Sequence, residues 1–209
     1  MTRTTRRTIP TALAVLGMSV VLGACQQGAP GGDATPTDAT SPTATTSPSP
    51  SPSPSESKTP EEQATELAEQ AVRDYYETSD AALQDPEGFK QEDLKDVAST
   101  TALADLQNLL AASRDQELTQ IGTTEIVEVK ATKVDLTNKP KANPPELPYV
   151  EFRVCYDVSD LNVVDKDGKS VVPADRPDKG VQRVGVVNYD YPDTDGWKVD
   201  YTEQEDGKC

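Results

Sequence analysis

The side chains that usually perform catalysis are few in this chain, and their types limit the chemistry available. The sequence has no histidine, so the most common general base, nucleophile activator and metal ligand is missing. A carboxylate mechanism would have to use charges on predicted strands, namely Glu128, Arg153, Asp157 and Asp190. Arg153 and Asp157 alternate with apolar residues, which puts them on the polar side of a half-buried strand. We interpret them as a solvated cross-strand charge ladder and predict neither catalytic residues nor a cofactor.

Two Asp-Gly segments resemble calcium-binding loops only superficially. Aligning Gly168 with the invariant glycine of such a loop puts Val163 at the first ligand position and Ala174 at the last, and neither side chain offers an oxygen. Aligning Gly196 instead puts Tyr191 at the first ligand position and Thr202 at the last. This segment therefore also lacks the glutamate that the last position needs. We therefore predict turns at both places and no metal site.

Cys25 ends a segment that has the order of a secretion signal. Three arginines precede an apolar run at residues 9–24, followed by a small-residue cleavage site. The run is shorter than the roughly 20 residues of a spanning helix, which argues against the alternative of an uncleaved anchor. Leu22-Gly23-Ala24-Cys25 resembles a bacterial lipobox, which implies a signal peptide at residues 1–24 and a diacylglyceryl group on the Cys25 sulfur.

The expected location of the mature protein is the outer face of the cytoplasmic membrane. The chain carries 36 acidic and 20 basic residues, a formal net charge of −16. An acidic surface repels nucleic acid and anionic headgroups. We therefore expect no nucleic-acid partner and a membrane contact made through the lipid anchor. The alternative interpretation of the charge is that it simply keeps the protein soluble.

Residues 25–59 are predicted to comprise the lipidated cysteine and a disordered tether rich in Ser, Thr and Pro. The segment after Cys25 has no aromatic residue and, proline aside, no apolar residue larger than alanine, so it cannot form a core. Its Ser-Pro alternation favours polyproline II, at about 3.1 Å per residue, which could extend the tether to roughly 100 Å. The alternative to a spacer is a recognition motif.

Residues 60–209 are long enough for one domain with its own core. Thr59-Pro60-Glu61-Glu62 has the form of a capping box with proline at the first helical position. Apolar residues then recur at helical spacing to about Leu83, and Asp85-Pro86-Glu87-Gly88 predicts the end of this long helix.

Two shorter helices and several strands follow. A short helix is expected around residues 93–98, and Ser99 can cap a third helix that runs to about Arg114. One face of that third helix is predicted to carry Leu103, Leu106, Leu109 and Leu110. Asp165-Lys166-Asp167-Gly168 predicts a small hairpin that joins 163–164 to 171–172, and residues 181–191 and 197–201 are predicted to form a final hairpin. Alternating apolar residues predict strands at 124–136 and 150–158. The alternation slips between Ala131 and Val134, which indicates a bulge.

This order predicts an α+β domain, with N-terminal helices packed on a bent four-stranded antiparallel sheet. A long helix carrying Val72-Arg73-Asp74-Tyr75-Tyr76 and a meander ending in Gly196-Trp197-Lys198-Val199-Asp200 resemble the cone-shaped nuclear-transport-factor-2-like fold of the cystatin-like class. The likeness is greatest to tethered lipoproteins of high-GC Gram-positive bacteria. The resemblance implies a sheet wrapped around the long helix and a pocket at the wide end of the cone. Because members of the family include enzymes, adaptors and unassigned pockets, the fold alone says little about function.

Cys155 and Cys209 remain once Cys25 carries lipid, an even pair in an oxidising compartment. The resemblance implies that the tail after the last strand returns across the sheet near Cys155, so we expect a disulfide between the two. The alternatives are an unpaired buried thiol at Cys155 and an intermolecular bond through Cys209. A catalytic cysteine would lack the histidine or basic cluster that lowers a thiol pKa.

The function expected from these observations is that of a binding or protein-interaction module, with a protein partner or a small apolar ligand. The alternative is a histidine-free pocket enzyme, of isomerase or hydrolase type, acting on a small apolar substrate. The candidate pocket lining is Tyr75, Phe152, Tyr156, Trp197 and Tyr201, which could equally be ordinary core. A deep cavity with a buried carboxylate would favour the enzyme. A filled cone would favour a protein partner or a dimer.

Overall fold

The computed structural model describes residues 58–209. The predicted signal peptide at 1–24, the lipidation site Cys25 and the predicted tether up to residue 57 lie outside the described residues. Within the described part of the chain, none of the helices combines the length and apolar character needed to cross a bilayer.

The first helix, α1, spans Pro60–Gln84 and begins with the predicted capping box. The Thr59 hydroxyl accepts from the Glu62 N–H at 3.2 Å, and the Thr59 N–H donates to the Glu62 carboxylate at 2.8 Å. These two bonds satisfy donors that a helix start otherwise leaves free. The helix ends at Asp85, as predicted.

A turn of 3₁₀ helix at Gln91–Asp93 leads into α2, Leu94–Val97, and α3 follows at Thr100–Asp115. Ser99 occupies the N-cap position of α3, but the prediction that its side chain caps the helix is wrong. The Ser99 hydroxyl donates instead to the Asp200 carboxylate at 3.0 Å.

The predicted apolar face of α3 is correct except at one residue. Leu106 and Leu110 are buried, whereas the Leu109 side chain is 48% exposed. At 3.6 residues per turn, Leu109 lies about 100° around the helix from Leu110. It therefore falls outside the stripe that packs on the sheet.

Four antiparallel strands form the main sheet in the order β2-β3-β5-β6. Two three-residue strands, β1 and β4, form a separate two-stranded sheet. The predicted strand at 163–164 is present in β4, but it pairs with β1, and its predicted partner at 171–172 is not a strand. The strands are β1 Thr119–Ile121, β2 Glu125–Asp135, β3 Tyr149–Asp157, β4 Asn162–Val164, β5 Lys179–Asn188 and β6 Trp197–Glu205. The result is an α+β domain with helices first and an antiparallel sheet after them, as in the cystatin-like class.

Three irregularities interrupt the sheet register. The shift between Ala131 and Lys133 confirms the bulge predicted in β2. A second shift lies between Ile126 and Glu128 of the same strand. A third opposes Gly185 and Val186 of β5 to Tyr201 and Val199 of β6, so that Asp200 is an extra residue in β6. Bulges of this kind bend a strand and increase its twist.

The core lies between the helices and one face of the main sheet, here called the inner face. On β3, alternation puts Val150, Phe152 and Val154 on this face, and none of them has measurable exposure. Ala68 and Val72 of α1 are equally buried in the same cluster. The opposite, outer face of the sheet carries the residues between these positions, such as Glu151, Arg153 and Cys155 on β3.

Candidate functional site

The interior of the cone is filled by side chains. Tyr75, Phe152 and Trp197, three of the five predicted pocket residues, belong to the buried core cluster. Burial raises the pKa of Tyr75 to about 12, so its hydroxyl stays protonated at neutral pH. These side chains form the centre of the fold.

The other two predicted pocket residues lie at the edges of the core or beyond it. Tyr156 is on the inner face, where its hydroxyl donates to Gln204 Oε1 at 2.9 Å. Its ring covers Gly180, because a Cβ at Gly180 would come within 2.3 Å of the tyrosine hydroxyl. Tyr201 lies on the outer face of the sheet, with its ring over Gly185.

The five residues therefore do not line one cavity: three belong to the core, which is the alternative that the sequence left open, and Tyr201 lies on the outer face. The cause for Tyr201 is the bulge at Asp200. Strict alternation from Trp197 and Val199 would put Tyr201 on the inner face, but the extra residue reverses the phase.

The largest of the described clefts, about 410 Å³, opens between α1 and the start of β2. We call it the mouth cleft, and its lining includes Tyr76, Asp80 and Ile126. Tyr76 packs edge-on against Tyr75 with ring centroids 5.5 Å apart, and its hydroxyl donates to Gln182. Burial raises the pKa of Tyr76. Tyr76 is thus a neutral, occupied donor in the wall of the cleft.

Asp80 is the buried carboxylate of the mouth cleft, and no sequence pattern marks it beyond its place on α1. One of its oxygens accepts from Gln120 Nε2 at 2.7 Å and from the Thr124 hydroxyl at 3.1 Å. The other accepts from the Thr124 N–H at 2.7 Å. Three donors occupy this carboxylate, so it ties the β1–β2 connection to α1 and is not a free base.

We expect Asp80→Asn to lower the free energy of unfolding by about 2 kcal/mol. The amide oxygen can replace one carboxylate oxygen, but the amide NH₂ would face a donor from Gln120 or Thr124. Denaturant unfolding measures the effect. Glu77→Gln, an exposed change in the same cleft, is the control and should shift stability by less than about 0.5 kcal/mol. Equal midpoints for the two variants would contradict the assigned role.

A second polar cluster, on the outer face, joins Tyr149, Glu151 and Tyr201. Glu151 Oε2 lies 2.7 Å from the Tyr149 hydroxyl and 2.8 Å from the Tyr201 hydroxyl, and the Thr132 hydroxyl donates to Oε1 at 3.0 Å. The hydrogen bond from Tyr149 is the main cause that lowers the pKa of Glu151. Glu151 is therefore an ionised, hydrogen-bonded anchor for two tyrosine rings and is poorly suited to proton abstraction.

The predicted charge ladder is confirmed for Asp157 and wrong for Arg153. Asp157 pairs across the sheet with Lys179 at 2.9 Å, and hydrogen bonds from Ser159 are the main cause that lowers the pKa of Asp157 to about 2. Arg153 instead donates to the Lys208 carbonyl at 3.0 Å, because the C-terminal tail lies over this part of the outer face. Glu128 and Asp190, the other predicted strand charges, are exposed.

The disulfide between Cys155 and Cys209 is present, with a Cα–Cα distance of 5.4 Å. It holds the tail across β3 and β5 on the outer face. Val181, opposite Cys155 in the register, is fully buried there, and Gly207 of the tail lies against Val181 and Arg153. The tail thus seals an apolar spot that the sheet alone would expose.

The described residues also bear on metal binding. Asp165-Lys166-Asp167-Gly168 forms the predicted turn, in which Gly168 has φ +77° and its N–H donates to the Asp165 carbonyl at 2.9 Å. Among residues 58–209, no group of three or more carboxylate or cysteine side chains is arranged to hold a metal ion.

Comparison with known proteins gives a structural likeness but no family. No protein-family model matches the chain, and no curated protein matches it. The structure is similar to the crystal structure of the intermembrane space region of the chloroplast protein ARC6, with a TM-score of 0.44 and 14% sequence identity. The match covers 66% of this chain and 94% of that one.

Proposed function

We propose that this chain is an extracytoplasmic lipoprotein, anchored through Cys25, whose α+β domain binds a protein partner and is not an enzyme. The lipobox-like sequence before Cys25 supports the anchor. The Cys155–Cys209 disulfide supports the compartment independently, because disulfides persist in oxidising surroundings and are rare in the cytosol.

The filled interior is the observation that carries the binding role. A pocket enzyme needs a cavity that encloses its substrate and a free acid or base within it. Here Phe152, Val154 and Val184 are fully buried where such a cavity would lie. The buried carboxylate of the mouth cleft, Asp80, and the carboxylate of the outer-face cluster, Glu151, are each occupied by internal donors. Recognition at the surface requires neither feature.

The anchor is tested by membrane fractionation. Cys25→Ala should release the protein from membranes or leave an unprocessed precursor, because position 25 then has no sulfur to carry the lipid. Cys209→Ala is the matched control: it removes a cysteine from the same chain and should leave the protein in the membrane fraction. Metabolic labelling that finds no lipid on the wild-type chain would contradict the proposal.

A further inference from the structure

A groove runs along the N-terminal half of α1, beside the connection between β5 and β6. It consists of two clefts, of about 290 Å³ and about 190 Å³, that share Leu67, Thr194 and Trp197. The shared apolar floor includes Leu67, which is 36% exposed, and Trp197, which is 6% exposed. Ala71 and Val97 extend this floor in the larger cleft. We call the whole feature the acidic groove.

The charged residues that line the acidic groove are all acidic. Asp74, Asp96 and Asp195 line the larger cleft and Asp193 lines the smaller one, and no lysine or arginine lines either. None of the four is in an ion pair within residues 58–209. Where hydrogen bonds occur, the donors are neutral: Gln70 for Asp74 and Thr194 for Asp195.

Two cations on the neighbouring elements already have internal partners. Arg73 pairs with Glu69 at 2.7 Å, one turn back along α1. The Lys198 ammonium donates to the Lys95 carbonyl at 2.5 Å. A concave surface lined by one sign of charge raises the local concentration of the opposite sign, and the formal net charge of −16 acts in the same direction. Charge complementarity therefore selects a cationic occupant.

The shape of the groove selects a side chain on an extended segment. A cleft of about 290 Å³ is at the lower limit for small-molecule sites, and the smaller cleft continues from it past Leu67 and Trp197. Adjacent clefts with a partly apolar floor suit neighbouring side chains of a peptide, one charged and one apolar.

We propose that the acidic groove binds a basic segment of a partner protein, with a lysine or arginine among Asp74, Asp96 and Asp195 and an apolar neighbour against Leu67. This inference rests on the proposed binding role and names the site and the partner chemistry. Small amines and metal cations are the competing occupants that the experiment must separate.

Intrinsic fluorescence can report on the groove, because Trp197 is the single tryptophan of the chain. The full mature protein in zwitterionic nanodiscs is titrated with a blocked pentapeptide of alternating lysine and leucine. A glutamate–leucine peptide, an oligolysine and lysine amide alone are titrated in parallel. We expect a saturable change in fluorescence with the lysine–leucine peptide, weakened by salt, and none with the glutamate–leucine peptide.

Two triple variants separate the groove from bulk charge. The triple variant Asp74→Asn/Asp96→Asn/Asp195→Asn should weaken binding of the lysine–leucine peptide by roughly tenfold or more. Asp115→Asn/Asp160→Asn/Asp175→Asn changes net charge equally at exposed sites outside the groove and should leave binding within about twofold. Leu67→Gln should weaken binding of the lysine–leucine peptide but not binding of oligolysine. The proposal would be overturned if both triple variants lost the same affinity for the lysine–leucine peptide, or if lysine amide bound as tightly as that peptide.

Photocrosslinking in cells distinguishes failure of the groove from failure of the binding role. A photoreactive residue replaces Leu67 in the groove or Tyr149 on the outer sheet face. Crosslinks to a basic segment from position 67, together with the peptide result, support the proposal. Crosslinks from position 149 alone, with no peptide response, reject the groove and leave the binding role standing. No crosslink from either position and no peptide response would reject both.

Discussion

Loss of the Cys155–Cys209 disulfide should lower the free energy of unfolding by about 4 kcal/mol, because the bond closes a long loop in the unfolded chain. The sequence separation is 54 residues, which sets this magnitude in the chain-entropy account. Cys209→Ala should therefore lower the melting midpoint by roughly 10 °C. Calorimetry on oxidised wild type and on the variant gives the comparison.

Three further samples show whether the effect belongs to the bond. Cys155→Ala should match Cys209→Ala, and the double variant should be no worse than either, because all three lack the same crosslink. The reduced wild-type protein should have the same melting midpoint as these variants. Cys155 is 1% exposed, so alanine is used there to avoid burying a hydroxyl. Free thiols at both positions in protein collected from cells would contradict the prediction.

Truncation of Phe152 to alanine should also cost about 4 kcal/mol, through lost burial and the cavity left behind. Phe152 is among the largest fully buried side chains, at the centre of the inner face of β3. Phe152→Leu is the matched control and should cost roughly 1 kcal/mol, since most of the volume is kept. Denaturant unfolding measures both variants: the midpoint should fall while the dependence of the free energy of unfolding on denaturant concentration stays unchanged.

The same pair of proteins tests whether the interior is filled. Phe152→Ala should gain binding of benzene or xenon, as dry apolar cavities do, whereas wild type should show none. Benzene bound equally by wild type would mean that the cone is hollow. The histidine-free pocket enzyme would then become the better hypothesis.

Local signals accounted for most of the fold. The capping box at Thr59, the stop at Asp85 and the alternation along β3 each act over a few residues, and each is where the sequence predicts it. The two-stranded sheet of β1 and β4 was missed, although the strand at 163–164 was predicted, because β1 has only three residues, too few to show alternation. Its stability comes from pairing between distant segments, which no local pattern displays.

The candidate sites were less predictable because they depend on the phase of one strand and on side-chain pairing. Tyr201 was assigned to the inner face since no sequence signal marks the extra residue at Asp200. Its true partners, Tyr149 and Glu151, come from another strand. Asp80 is not part of the apolar series that predicts the buried face of α1, so only the structure reveals the donors from Gln120 and Thr124 that make a carboxylate stable there.

The extra residue at Asp200 also governs how this sheet can meet other chains. β6 is an edge strand, and an open edge invites pairing with another molecule. The Asp200 carboxylate accepts from the hydroxyls of Ser99, Thr100 and Tyr189, which fixes the start of α3 against β6. The Ser99 N–H then donates to the Val199 carbonyl at 2.8 Å.

That bond occupies an edge acceptor that a neighbouring strand would otherwise use. The opposite edge, β2, carries two bulges and the charged Lys130 and Lys133, which discourage edge pairing in the same way. Under the proposed lipid anchor, copies of the chain would share one membrane surface at high local concentration, where open sheet edges favour pairing between molecules. Both edges of this sheet instead carry features that oppose such pairing.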